Sequence, residues 1–391
     1  MSPSVHVALI SGPPYDPLYD RLDAFTATTG IDVQIGFTGD HPSLNRHLAK
    51  CEPVPYDLVS THSKYAPSQR DFLAPLDGVL DAEVLDDFAP QSLDLARIDG
   101  ALYGLPRVVD VRLLHYRTDL MEAPPATWDE LVRTARAVKE EHGVFGFAFP
   151  GRDSGLFGTF YELAEMGGAA LFPQDLVPDL DNEGGAWALR LLRTLYADAL
   201  VPPDLPDWHF DAVHRAFREG RVAMIGDWPG FYGLHADPEA SHVAERFSVC
   251  PYPSGPNGTS RAYGGEHTFA LTPRGAEKPE AAELLTFLTA PAQQRLEAQN
   301  GAVPPRRSVL DGIQSEATGR ARKRWDALER VLQEQILIPP KLPYYPRMET
   351  VIWTTVQQCF TGQRSVPEAL AHISQQIESI VETHTSDSTT F

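Results

Sequence analysis

The stretch GALYGLPRVVDVRLLHYRTDL, residues 100–120, decides how this chain folds. It opens on an Asp99-Gly100 turn, followed by an apolar run that Gly104 and Pro106 interrupt. From Val108 to Tyr116 it is rich in β-branched and aromatic residues, which predicts a strand. Asp110 lies inside that strand among Val108, Val109 and Val111. A carboxylate in apolar surroundings is costly unless it is paired or hydrogen-bonded. Either Arg107 or Arg112 answers it, or a ligand does. After the stretch comes Pro124-Pro125-Ala126-Thr127-Trp128-Asp129-Glu130, a new helix start. One extended segment leaving one folded unit for another has the character of a hinge.

Upstream, Ser4–Ile10 is a strand that ends at Ser11-Gly12-Pro13-Pro14-Tyr15. Leu18, Leu22 and Phe25 follow at helical spacing, and Gly30 closes that helix. Ile31, Val33, Ile35 and Phe37 alternate as a second strand, and Asp40 turns the chain into a helix carrying Leu44 and Leu48. Tyr56–Val59 is a third strand, ending at Ser60-Thr61-His62. The β-α-β-α-β order implies a parallel sheet with helices on its faces. Ligands of such sheets bind beyond the carboxyl ends of the strands. Tyr15, Asp40 and His62 are therefore candidates for one site edge.

Downstream, Thr127 with Glu130 forms a capping box, and Gly143 ends the helix it starts. Val144–Phe149 is expected as a strand delivering Arg152 and Asp153 to a loop. Asn182 starts a long helix, and Phe210–Glu219 is another. Arg221 to Gly230 is a strand whose end presents Asp227 and Trp228. Further helices are expected at Pro279–Leu288, near Asp326–Gln335, at Glu349–Phe360 and at Pro367–Thr383, with a fraying tail from Thr385.

The chain has 391 residues, enough for two domains. Its net charge of −20 argues against nucleic acid and against an anionic membrane surface as partners. No apolar run is long enough for a transmembrane helix. Cys51, Cys250 and Cys359 are far apart, with no metal spacing, and read as buried thiols. No nucleophile elbow, zinc-protease helix or phosphate loop occurs, so neither a catalytic centre nor a cofactor or metal is expected.

Several of these segments form an ordered set. Leu102-Tyr103-Gly104-Leu105-Pro106, then Tyr116-Arg117-Thr118-Asp119-Leu120, then Pro125-Ala126-Thr127-Trp128-Asp129-Glu130-Leu131, resembles the extracellular solute-binding proteins of ABC importers, of the maltose-binding-protein type. Arg221–Gly230 is similar to a second signature of that family, and Gln293 through Gly301 to Arg306 to a third. The resemblance implies a two-lobed α/β fold, the periplasmic-binding-protein type II fold, with three hinge crossings. It puts residues 1–109 and 266–307 in the N-terminal lobe, and 110–265 and 308–391 in the C-terminal lobe. It implies a carbohydrate or glycoside in the interlobe cleft, ABC permease subunits as partners, a monomer, and a periplasmic or cell-surface location. No export signal precedes the first strand, so a cytoplasmic location stays open.

A sugar is held by aromatic faces against its C–H surfaces and by polar groups on its hydroxyls. Trp228, at a strand end beside Gly226 and Gly230, leads the candidates. Asp110 stands where the family places a ligand-bonding acid. Tyr263, Gly264 and Gly265 lie on the second crossing, with His267 beside them. Arg107 and Arg152 could clamp an anion, or meet Asp110 and Asp153 instead. The family's aromatic on a C-terminal helix aligns with Glu349 here, which leaves Tyr345 and Trp353 as substitutes. The rival readings are a glycoside-acting enzyme using cleft carboxylates, a non-exported sugar sensor, and a binder of a phosphorylated or anionic solute.

Overall fold

A computed structural model describes residues 3–388, with side chains placed to residue 384. The expected tail falls partly beyond this range: residues 389–391 lie outside the described residues, and the last helix, Val366–Ser388, runs up to them.

The first three strands are β1 (Ser4–Ile10), β2 (Asp32–Gly39) and β3 (Leu58–His62), and β1 pairs in parallel with both others. Period-two alternation sorts β1 cleanly. Val5, Val7 and Leu9 join Phe25, Phe269 and Leu284 on one face, while Ala8 and Ile10 join Leu44, Leu48 and Val59 on the other. Helices cover both faces because neither face of a parallel sheet can be left in water.

The stretch from Gly100 to Leu120 forms two strands. β4 (Leu105–Val111) belongs to the large sheet, whereas β5 (Leu113–Arg117) belongs to a second, three-stranded sheet. The break falls at Arg112, whose buried guanidinium reaches Glu162 at 2.7 and 3.0 Å and Thr159 at 3.1 Å. The expected continuous strand is thus a crossing with a pinned residue at its middle. The Asp99-Gly100 turn is present, with φ of 49° and 85° at the two residues.

In the second sheet β5 is flanked antiparallel by β6 (Met224–Asp227) and β7 (Phe247–Cys250). Its core gathers Trp128, Phe147, Phe157, Phe160, Phe217 and the helix Tyr345–Phe360. Thr127 accepts the Glu130 amide at 3.2 Å, as a capping residue should, but Glu130 reaches back to the amide of Ala126, not to that of Thr127. Val144–Phe149 is not a strand. It makes only isolated bridges, Phe145 with Val222 and Ala148 with Ile225. The Gly146 amide bonds the Leu200 carbonyl instead, and a side chain at Gly146 would strike Ala135.

The chain returns on β8 (Ala262–Leu271), which runs antiparallel between β3 and β4 and also meets β9 (Ile336–Leu337). A third crossing lies beside the first, where the Val109 amide donates to the Val303 carbonyl at 2.9 Å.

Glu266 of β8 is fully buried. Burial pushes its carboxyl well above the usual carboxylate range, against weaker help from Ser92 and Lys341. Its folded-state pKa therefore exceeds its unfolded value of about 4.3, and stability is lost as pH rises from there through the folded pKa. Glu266→Gln should raise the melting temperature at pH 8 and change it little at pH 4. A loss at pH 8 would contradict this account of the strand.

Candidate functional site

The carboxyl ends of β1, β2 and β3 open on one cavity of about 340 Å³, as parallel order requires. They supply the Ser11–Tyr15 loop, Asp40 and His41, then His62, Lys64 and Tyr65. β4 adds Asp110, and β8 adds Tyr263 and His267. The second sheet's side supplies Trp228, Phe231 and the helix Phe210–Arg218, preceded by His209.

The part-buried carboxylate of the first crossing, Asp110, is answered by neither arginine. His267 Nε2 lies 2.7 Å from Asp110 Oδ2. The same nitrogen is 3.1 Å from the Tyr15 hydroxyl, and His267 Nδ1 is 3.0 Å from His41 Nε2. The His41 and His267 rings stack at 4.6 Å, and His62 stands edge-on to His267 at 5.1 Å. Burial, then His267 and Lys64, hold His41 and His62 well below the usual histidine range, so both are neutral at pH 7.

The aromatic side is built from behind. Asp227 is buried, and burial alone would raise its pKa. His214 and His235 overcome this, at 3.1 and 2.7 Å from its oxygens, and hold the group far below the carboxylate range. The same carboxylate accepts the Trp228 amide at 2.8 Å, which fixes the backbone of that tryptophan. The Trp228 ring is part-buried, packed on Phe210 at 5.4 Å and Tyr263 at 5.7 Å, with the Arg112 guanidinium 5.5 Å away.

Residues 20–322 match the family model described as bacterial extracellular solute-binding protein. The chain belongs to that family. Its members are binding proteins, extracellular by description. A binding protein of Brucella abortus is 28% identical over 226 residues, 56% of this chain and 54% of that one. The chain thus spans about half the length of that curated relative. The mannitol-binding protein of Pseudomonas aeruginosa is 26% identical over 337 residues, 78% of this chain and 75% of that one. Among solved structures, maltose-bound MalE3 of T. maritima superposes with a TM-score of 0.87 at 24% identity, covering 96% of this chain and all of that one. That likeness establishes the two-lobed fold with its three crossings.

In this solute-binding protein, seven of the residues singled out from sequence line the cavity together: Tyr15, Asp40, His62, Asp110, Trp228, Tyr263 and His267. Asp40 is also a helix cap, accepting the Ser43 amide at 2.9 Å. The others stand outside the lining. Arg107 is buried on Glu297 at 2.8 Å and holds the Tyr15 carbonyl at 3.2 Å, so it shapes the loop from beneath. Arg152 is exposed and meets Asp153 at 3.4 Å. Gly264 and Gly265 are spacers. A Cβ at Gly264 would lie 2.7 Å from Ile336, and one at Gly265 would lie 2.3 Å from the His62 ring. Asp227, as described, sits behind Trp228.

Glu349 and Tyr345 also stand behind the cavity. Glu349 accepts from Lys64 at 2.8 Å, from Tyr65 at 2.8 Å and from Tyr345 at 2.9 Å, while Lys64 also donates to Tyr263 at 2.7 Å. Burial would lower the Lys64 pKa, but Glu349 and then Tyr263 raise it well above the ordinary lysine value. Sequence reasoning missed Lys64, His41, His209 and the helix face of Asp211, His214, Arg215 and Arg218. Asp211, His214, Arg215 and Arg218 recur at helical spacing along that helix, ahead of the Trp228 strand, and were the available signal.

Breaking a buried pair leaves an uncompensated charge, which costs about 3–5 kcal/mol. Lys64→Met alone should lower the unfolding free energy in urea by about that amount. Lys64→Met combined with Glu349→Leu should recover most of the loss. Additive losses in the double variant would contradict direct coupling.

Proposed function

We propose that this protein is the ligand-capturing component of an ABC importer, that it binds a carbohydrate or glycoside, and that it closes on it by hinge bending. No bond is made or broken, and the released ligand passes to permease subunits. The observation that carries the reading is the composition of the cavity. Aromatic faces from Trp228, Phe210 and Phe231 share one enclosure with the polar groups of Asp110, His267, Tyr15, His62 and Asp40. Apolar ring faces suit C–H surfaces, and the carboxylates and imidazoles suit hydroxyls. A volume of about 340 Å³ lies at the small end of ligand sites and favours a polyol or a short saccharide.

The similarity to the mannitol-binding protein of Pseudomonas aeruginosa and to maltose-bound MalE3 supports the same ligand class. We take residues 1–109 with 266–307 as one lobe and 110–265 with 308–391 as the other. A ligand touching both lobes selects the closed form because only that form offers all its contacts. The protein works as a monomer outside the cytoplasm in this reading. No helix among the described residues is long and apolar enough to cross a membrane. The two arginines that suggested an anionic solute are placed elsewhere, Arg107 on Glu297 and Arg152 outside the cavity, although Arg215 and Arg218 line it beside Asp211.

Melting temperature in the presence of a panel of polyols, monosaccharides and disaccharides tests the proposal. A bound ligand raises it by mass action. Trp228→Ala should weaken the best ligand by roughly 1.5–3 kcal/mol, on the order of ten- to a hundredfold, without lowering the melting temperature of the free protein much. No shift with any carbohydrate would sink the assignment, as would product formation from an oligosaccharide.

A further inference from the structure

His62, His267 and Asp110 each offer one ligand atom, and the three atoms lie within 4.8 Å of one another. All three line the cavity. They are far apart in sequence, and strand register assembles them. His267 is opposite His62 in one antiparallel ladder, and Asp110 is opposite Gly265 in the next. Directly opposed residues project to the same face. Gly265 leaves the space that makes the cluster possible. A Cβ there would fall 2.3 Å from His62 Cε1 and 2.8 Å from Nε2, so the ring lies over the ladder at that glycine.

We propose that His62, His267 and Asp110 form a site for one divalent transition-metal ion of the zinc class, open toward the cavity. Two imidazoles and a carboxylate suit zinc, nickel, copper or cobalt; magnesium and calcium prefer all-oxygen shells. Three protein ligands leave further positions to water or to paired hydroxyls of a polyol. Metal-bound histidines are normally oriented through their second nitrogen. Here His41 Nε2 does this for His267 Nδ1 at 3.0 Å, and His41 Nδ1 is buried without a partner of its own. The Tyr15 hydroxyl stands 3.1 Å from His267 Nε2.

The proton balance is explicit. In the ion-free protein the 2.7 Å contact between His267 Nε2 and Asp110 holds a proton, and the ion takes that place. That proton passes to His267 Nδ1, the nitrogen facing His41 Nε2 at 3.0 Å. The Lys64 amide donates to His62 Nδ1 at 3.2 Å, so the neutral ring carries its proton on Nε2. Loading through Nε2 moves that proton to Nδ1, which then donates toward Ser63 Oγ at 3.5 Å and gives up its bond from the Lys64 amide.

The site does not depend on the sugar reading, and the test is run without sugar so that the two can fail separately. Tag-free full-length protein is stripped with a chelator, dialysed and titrated calorimetrically with zinc sulfate, with magnesium sulfate as the comparison. The expected result is one equivalent of zinc bound at micromolar affinity or tighter, and no magnesium binding. Asp110→Asn and His62→Ala should each weaken zinc at least tenfold, and His41→Ala by about ten- to a hundredfold. Copper-loaded wild-type protein should display superhyperfine coupling to two imidazole nitrogens by electron paramagnetic resonance. If His62→Ala does not fold, Asp110→Asn and the copper spectrum decide. No zinc binding, zinc binding unchanged in Asp110→Asn, or a copper spectrum without nitrogen coupling would each overturn the proposal.

Discussion

Asp110 sits on a strand in apolar company at the point where the chain leaves one sheet for the other, and its charge has to be met there. Both neighbouring arginines are engaged elsewhere, Arg107 by Glu297 and Arg112 by Glu162. His267 on the adjacent strand meets it. That pairing keeps β8 beside β4, so two of the three crossings run as one ladder, and Val303 of the third bonds Val109 alongside. Tyr15 and His41, from two different strand ends, then converge on the same imidazole. A single acid–base contact thus organises the floor of the cavity and the junction of the crossings.

The opposite side follows the same logic with different residues. Asp227 is buried and held ionised by two histidines, and its remaining acceptor capacity fixes the Trp228 backbone. Behind both, the Lys64–Glu349 pair with three tyrosines closes the rear of the cavity. Buried polar networks of this kind are costly when half satisfied and rigid when complete. The charged groups nearest the cavity are therefore pre-positioned.

Much of this was legible in sequence where local rules apply. The β-α-β-α-β order placed Tyr15, Asp40 and His62 on one edge, and all three line the cavity. The Asp99-Gly100 turn, the Thr127 cap and the Asn182 cap follow from side-chain chemistry at fixed offsets. What sequence could not supply was pairing across distance. Nothing local to Asp110 points to His267, and both arginines offered themselves as nearer partners. Glu349 and Tyr345 were read toward the ligand because helix position gives the side of approach but not the depth. Val144–Phe149 has a strand's composition yet bonds Leu200, a tertiary choice that propensity does not see.

The central claim is that two lobes close over a small polyhydroxylated ligand held between Trp228 and the Asp110–His267 floor. Small-angle X-ray scattering with and without a carbohydrate that raises the melting temperature tests it most directly. The account predicts a smaller radius of gyration at saturation in the native protein, and no such contraction in Trp228→Ala at the same sugar concentration. An unchanged radius at saturating ligand in the native protein would contradict it.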